Sequence, residues 1–213
     1  MDATRIIAVR HGETAWNVDT RIQGQTDIDL NETGHWQARR VGEALAGESI
    51  DAIYSSDLSR AHQTAQAISS RSEVPVIAEP ALRERCFGIF EGKTFDEIHQ
   101  RWPEQAQSWR TRIPDWAPPQ GGESLLALRA RVSGAVQSLA ARHPGQQIVL
   151  VAHGGVLDSL YRLATGQEVN SPRTWQLPNG AINRLLWTSS GLTLVGWSDT
   201  RHLDHESIDE STT

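Results

Sequence analysis

The sequence predicts an α/β protein: a three-layer sandwich with a mostly parallel central sheet, an antiparallel edge and a lid-like insertion. Three observations carry this. Short apolar runs of strand length alternate with segments whose apolar residues recur at helical spacing, the pattern of βαβ units. Two further apolar runs, near 181–187 and 192–197, flank Ser189-Ser190-Gly191 and read as a hairpin at one sheet edge. Between Trp102 and Gly122 the chain is dense in Pro and Trp and ends on a Gly-Gly pair, too irregular for an element and too aromatic for a linker.

The elements follow in order. Arg5 to Val9 is a buried strand ended at Gly12, and a loop then runs through Gly24 and Asp29. Asn31 is placed to cap a helix whose buried face is Ala38, Val41 and Leu45 and whose stop is Gly47. Asp51 to Ser55 is the second strand, and Ser56 or Asp57 caps a helix reaching about Arg71. Pro75 to Ala78 is the third strand. Residues 80–93 read as loop and Thr94 to Arg101 as a short helix. Glu123 to His143 is the clearest helix, with Leu125, Leu128, Val132, Val136 and Leu139 in one stripe and Pro144-Gly145 behind it. Gln147 to Ala152 is a buried strand, and Gly154-Gly155 opens a helix to about Thr165. One domain is expected over 1–204, followed by a polar tail at 205–213 that frays.

Composition narrows the chemistry. At 213 residues, 38% hydrophobic and 22% charged, the chain is long enough to bury a core without staples. Cys86 stands alone, which rules out a disulfide framework or a cysteine-rich zinc module. A net charge of −6 argues against a nucleic-acid partner or a basic membrane patch. With no signal-like start and no apolar run near the length of a membrane span, a cytoplasmic protein without membrane association is expected.

In a sheet of this kind ligands bind beyond the carboxyl ends of the strands. Those ends carry Arg10 and His11, then Arg60, then Glu84, then His153 before Gly154-Gly155. Two arginines, two histidines and a glutamate in one crevice suit phosphoryl transfer. Guanidinium and imidazole donors stabilise charge spreading over the equatorial oxygens. A helix N-terminus adds backbone donors. A neutral imidazole, kept so by nearby cations, attacks phosphorus, and a carboxylic acid protonates the leaving alkoxide before acting as base towards water. Each residue taken singly has an ordinary structural explanation; their convergence at four strand ends does not.

The motifs also resemble those of the histidine phosphatase superfamily, or phosphoglycerate mutase-like family. They run from Arg10-His11-Gly12-Glu13-Thr14-Ala15-Trp16-Asn17 through Arg21-Ile22-Gln23-Gly24, Leu30 to Gly34, Ser55 to Arg60 and Leu82-Arg83-Glu84. They continue through Gly88 to Gly92, Gly121-Gly122-Glu123-Ser124 and Val151-Ala152-His153-Gly154, so the resemblance spans the chain to about residue 204. It implies that His11 is the phosphorylated nucleophile, that Arg10, Arg60 and His153 form the phosphate pocket with it, and that Glu84 is the proton donor. It further implies phosphate or substrate contacts from Asn17, Gln23 and Gly24, joined by Thr14 and Gly154. No cofactor and no metal are implied. The expected activity is a phosphomonoesterase acting on a small phosphorylated metabolite. Phosphoglycerate mutase is the alternative, and a non-catalytic phospho-ligand-binding protein is an alternative of another kind. The phosphatase is favoured because Glu84 continues as Arg85-Cys86-Phe87-Gly88, where the cofactor-dependent mutases have Arg-His-Tyr-Gly and a longer, more basic insertion before the second histidine. A homodimer is an expected assembly.

Trp102, Trp109 and Trp116 are candidates to cover an apolar leaving group, and Arg110 and Arg112 to read a carboxylate or second phosphate. Gly88 to Thr94 is one residue short of a P-loop, with no strand before it. His202-Leu203-Asp204-His205 reads as solvated tail rather than as a metal site.

Overall fold

A computed structural model describes residues 3–204. Six strands form one sheet, β1 (Thr4–Arg10), β2 (Ala52–Ser55), β3 (Val76–Ala78), β4 (Gln147–Ala152), β5 (Ile182–Thr188) and β6 (Gly191–Asp199), in the order β3-β2-β4-β1-β5-β6. The first four are mutually parallel, and β5 and β6 are antiparallel. The expected hairpin is therefore present, and it closes one edge.

Strand alternation sorts the core into two layers. Ile6 and Ala8 of β1, with Ile148 and Leu150 of β4, face α6 (Leu125–Ala141) and α7 (Gly154–Thr165) through Leu128, Val132, Val136, Val156 and Leu160. Ile7, Val9, Val149 and Val151 face the other way, onto Val41 and Leu45 of α2 (Glu32–Leu45) and Ala61, Ala65 and Ile68 of α3 (Ser59–Ser72). Strands buried on both faces need continuous apolar runs, which is why Arg5 to Val9 and Gln147 to Ala152 are readable as strands. Among the described residues no helix is long and apolar enough to cross a membrane.

Several expectations are corrected. A one-turn helix, α1 (Ala15–Val18), interrupts the first loop and is capped by Thr14. Helix α3 begins later than expected: Leu58 holds the cap position without a side-chain bond, while the Ser56 hydroxyl accepts from the Leu58 N–H at 3.3 Å. Residues 80–93 contain two 3-10 turns, Pro80–Leu82 and Gly88–Phe90. The segment expected to be irregular contains α5 (Pro103–Arg110), with Pro103 in the first turn where its missing N–H costs nothing. Together with α4 (Phe95–Arg101), capped by a Thr94–Glu97 box, it builds a separate small core around Phe90, Ile98 and Ala106. His202 is half-buried and bonds the Gly180 carbonyl at 3.0 Å, so it is a packing residue rather than a solvated one. His205 and the tail lie outside the described residues.

Candidate active site

The carboxyl ends of β1, β2 and β4 open on the same side of the sheet, and the pairing of Arg10 with Ala152 puts the next residues, His11 and His153, side by side. Their ring centroids are 5.1 Å apart. The His11 N–H donates to the Ala152 carbonyl at 3.0 Å, so the residue after β1 is tied to the end of β4. On the other side Gly180 N–H donates to the Arg10 carbonyl at 3.0 Å, and Asn179 Nδ2 reaches the His11 carbonyl at 3.0 Å.

The His11 ring is oriented by one bond. Nδ1 lies 2.6 Å from the Gly12 carbonyl, which can only accept, so Nδ1 carries the hydrogen and Nε2 keeps its lone pair. Burial, then the Arg60 and Arg10 guanidiniums, hold the imidazole pKa well below its ordinary value. His11 is thus neutral at neutral pH. His153 is fully buried. Its Nε2 is 2.8 Å from the Ser56 hydroxyl, and its Nδ1 has no hydrogen-bond partner among the described residues. Burial first, then Arg60, lower its pKa in the same way.

Both arginines are held by carbonyls, leaving one edge of each unused. Arg60 donates from Nη1 to Thr26 O at 2.9 Å and from Nη2 to Gly24 O at 2.7 Å, while its buried Nε has no partner. Arg10 Nη1 donates to the Leu177 carbonyl, and its Nε is likewise buried without a partner. Burial lowers the Arg10 pKa to about 10, against the opposing pull of Glu84, so it stays cationic. Buried donors left unpaired are costly. Here they belong to cations around one point, which is what an anion would satisfy.

Glu84 comes from the turn after β3. Its carboxylate accepts from the Gly155 N–H, 3.0 Å from each oxygen, and from the Arg85 N–H at 2.7 Å. A Cβ on Gly155 would lie 2.3 Å from Glu84 Oε1, so a side chain there would push the carboxylate off the N-terminus of α7. Arg131 of α6 braces the same turn. It donates to the Ala81 and Arg83 carbonyls, both at 2.8 Å, and pairs with Glu123 at 2.7 Å.

A model of the histidine phosphatase superfamily (branch 1) matches residues 6–200. The chain belongs to that family. As a histidine phosphatase it is similar to two proteins of Arabidopsis thaliana. One is phosphoglycerate mutase-like protein 4, 38% identical over 96% of this chain and 89% of the relative. The other is a metal-independent phosphoserine phosphatase, 37% identical over 95% of this chain and 84% of the relative. Among solved structures it is similar to a mycobacterial glucosyl-3-phosphoglycerate phosphatase, with TM-score 0.83 and 32% identity over 93% of this chain and 100% of that one. The chain is an enzyme, a hydrolase of the phosphatase type.

Within the phosphatase, the residues expected from the sequence line two hollows that share Arg10, Glu84 and Phe87, except His153, which is buried behind them against the His11 ring, and Thr14. An inner well of about 180 Å³ is lined by Arg10, His11, Asn17, Gln23, Gly24, Arg60 and Glu84. Asn17 Oδ1 accepts from the Thr14 N–H at 3.0 Å and from Asn179 Nδ2 at 3.3 Å, which leaves its own NH₂ for the well. Gly24 has φ +53°, and a Cβ there would strike Glu91 Oε1 at 2.1 Å. An outer cleft of about 570 Å³ shares Arg10, Glu84 and Phe87 with the well and adds Gly154, Gly155 and Trp109.

Thr14 does not join either lining. It is fully buried, and its hydroxyl caps α1 by accepting from the Asn17 N–H at 3.2 Å. Trp102 and Trp116 pack around Phe90, so of the three tryptophans Trp109 alone lines the cleft. Arg110 lies over the Phe95 ring at 5.2 Å and is likewise absent from the lining, whereas Arg112 is present. Residues missed from sequence include Ser56, Asn179 and Glu91. The Asn179-Gly180 turn just before β5 was the available signal for the second of these. Glu91 holds the Gln25 N–H at 3.0 Å and the Thr26 hydroxyl at 2.8 Å, and so fixes the loop that grips Arg60.

Proposed function

We propose that the protein hydrolyses a small phosphorylated metabolite in two steps through a phosphohistidine on His11. The carrying observation is the Nδ1 bond to Gly12, which commits the neutral ring to presenting Nε2 amid Arg10, Arg60 and His153. In the first step the Nε2 lone pair forms a bond to phosphorus as the P–O bond to the leaving group breaks. Glu84, in its acid form, gives its proton to the departing oxygen. In the second, the Glu84 carboxylate takes a proton from water, the resulting oxygen attacks phosphorus, and the P–N bond breaks to restore the neutral imidazole. The unused edges of Arg10 and Arg60 and the His153 Nδ1 meet the non-bridging oxygens, with Asn17 and Gln23 as further contacts.

The similar phosphoserine and glucosyl-3-phosphoglycerate phosphatases support a small phosphomonoester as substrate and hydrolysis as the outcome. The lone Cys86 and the acidic charge balance support a cytoplasmic, small-molecule role. Rapid quench with a ³²P-labelled ester tests the mechanism. Acid-labile label that maps to His11 and is lost in His11→Ala is expected; label on Ser, Asp or Cys86 overturns it.

A further inference from the structure

The outer cleft has a charge pattern that the two chemical steps do not use. Its wall away from the well carries Arg85, Arg112 and Arg173 against one acid, Asp158, and its apolar side is Phe87 and Trp109. Asp158 is engaged through one oxygen: its Oδ2 accepts from Arg162 Nε at 2.8 Å and from Arg112 Nη2 at 3.3 Å, while its Oδ1 is buried with no partner among the described residues. The cleft therefore carries surplus positive charge beyond that of the inner well.

Each of these cations has donors to spare. Arg112 is anchored rather than free-swinging. Its backbone adopts φ +52°, rare for a residue with a Cβ, and its Nε and Nη2 hold the Val169 carbonyl at 3.0 and 2.8 Å. That anchoring leaves Nη1 with no hydrogen bond among the described residues. Arg173 is exposed and makes no hydrogen bond or ion pair among the described residues, and its charge acts on both Arg10 and Arg112. Arg85 is buried, gives its Nε to the Glu123 carbonyl at 2.7 Å and lies over the Phe87 ring, while its two Nη groups make no hydrogen bond among the described residues; held this deep, it backs the two outer arginines. The well gathers many buried donors, as a phosphoryl group requires. At its outer wall the cleft offers one anchored guanidinium edge, from Arg112, and one exposed arginine with its donors unused, Arg173, a pair that matches a singly charged planar group.

We infer that Arg112 and Arg173 form a second anion subsite, and that the substrate is a phosphomonoester whose leaving group carries a carboxylate. This rests on the hydrolytic reading above and adds the substrate class to it. Arg112 sets the position of the carboxylate, and Arg173 closes over it from solvent.

The test compares 3-phosphoglycerate with glycerol 3-phosphate, which differ only in carboxylate against hydroxymethyl. The wild type is expected to favour the carboxylate ester by about tenfold to hundredfold in kcat/KM, the range of a charge-assisted contact. Arg173→Ala, at a position without intramolecular bonds, is expected to shrink that ratio at least tenfold. Arg112→Lys, which keeps the charge but loses the anchored fork, should shrink it as well. Glycerol 1,3-bisphosphate is the third arm, and a preference for it over 3-phosphoglycerate would overturn the carboxylate assignment. A wild-type ratio near one, or a ratio unmoved in Arg173→Ala, overturns the subsite. p-Nitrophenyl phosphate separates the two levels: its turnover through phosphohistidine without ester discrimination leaves the hydrolytic reading standing and removes the subsite alone. Calorimetric binding of the same three esters to His11→Ala reads the preference without turnover, and equal affinities there likewise remove it.

Discussion

Glu84 and His11 are held by opposite kinds of contact. The His11 ring is fixed by one short bond to a neighbouring carbonyl, which leaves its reactive atom bare. Glu84 rests on two backbone N–H groups, one of them at the N-terminus of α7, and can release them when a leaving group approaches. If its role is to protonate that group, its worth depends on how poor the group is. An alkoxide needs the proton as the P–O bond breaks; p-nitrophenolate does not. Glu84→Gln should therefore slow single-turnover phosphorylation of His11 by an alkyl phosphate by about 10²–10⁴-fold while leaving the nitrophenyl ester much less affected. Equal losses in that step would assign Glu84 to positioning only. At this scale the sequence was legible as to place: Arg10, His11, Arg60 and Glu84 meet in one well, and His153 packs beside His11. It misled at Thr14, because a hydroxyl three residues beyond His11 serves equally well as a helix cap, and spacing alone cannot separate the two.

Helix α2 does more than cover the sheet. Its N-terminal end grips the loop that follows His11: Asn31 N–H donates to the Glu13 carbonyl at 3.0 Å, Asn31 Nδ2 donates to Glu13 Oε1 at 2.8 Å, and Gln37 accepts from the Glu13 N–H at 2.7 Å. The grip needs two glycines in contact. A Cβ on Gly34 would lie 2.0 Å from the Glu13 carbonyl oxygen, and one on Gly12 would lie 2.4 Å from the Gly34 oxygen. Backbone cannot swing aside as a side chain can. Gly34→Ala should cost about 1–3 kcal/mol in urea unfolding and lower kcat by shifting the Gly12 carbonyl that orients His11. An unchanged midpoint and unchanged kcat would show that the loop tolerates displacement. Asn31 was visible in the sequence as a cap, but its second hold on Glu13 was not, since that contact exists only once two segments meet. Helix α5 was hidden for a different reason. Prolines and tryptophans read as irregular, yet Pro103 sits where helices accept proline and the rings fill a core of their own.

For the whole molecule, the neutral buried imidazoles couple stability to pH. Burial holds the pKa values of His11 and His153 well below their ordinary value, and His202 shifts in the same direction, also mainly through burial. In the unfolded chain these residues protonate near pH 6.5. Their contribution to stability is therefore fully present above about pH 6.5. It is lost as pH falls towards their depressed native values, because the unfolded state binds protons that the folded state refuses. Each deeply buried histidine adds up to about 1 kcal/mol per pH unit in that window. Thermal unfolding between pH 8 and 5 should show Tm falling below about 6.5, with a shallower fall in His11→Ala. An identical slope in that variant would mean that other groups set the acid sensitivity. If His11 is the nucleophile, catalysis should hold up over the same window, since an imidazole that resists protonation keeps its lone pair.

Strand β1 lies between β4 and β5, so Arg5 pairs with Gln147 on one side and with Leu186 on the other. Its nearest neighbours in space are among its most distant in sequence, and the loops that must close to bring them together are long and slow to close. A nascent chain that has emerged as far as α6 already carries His11, Arg10, Arg60 and Glu84. It still has no Ala152 carbonyl for the His11 N–H, no His153, and no Asn179-Gly180 turn to hold the loop. Competence then arrives all at once, when β4 and the Asn179-Gly180 turn have both emerged, instead of growing with each strand.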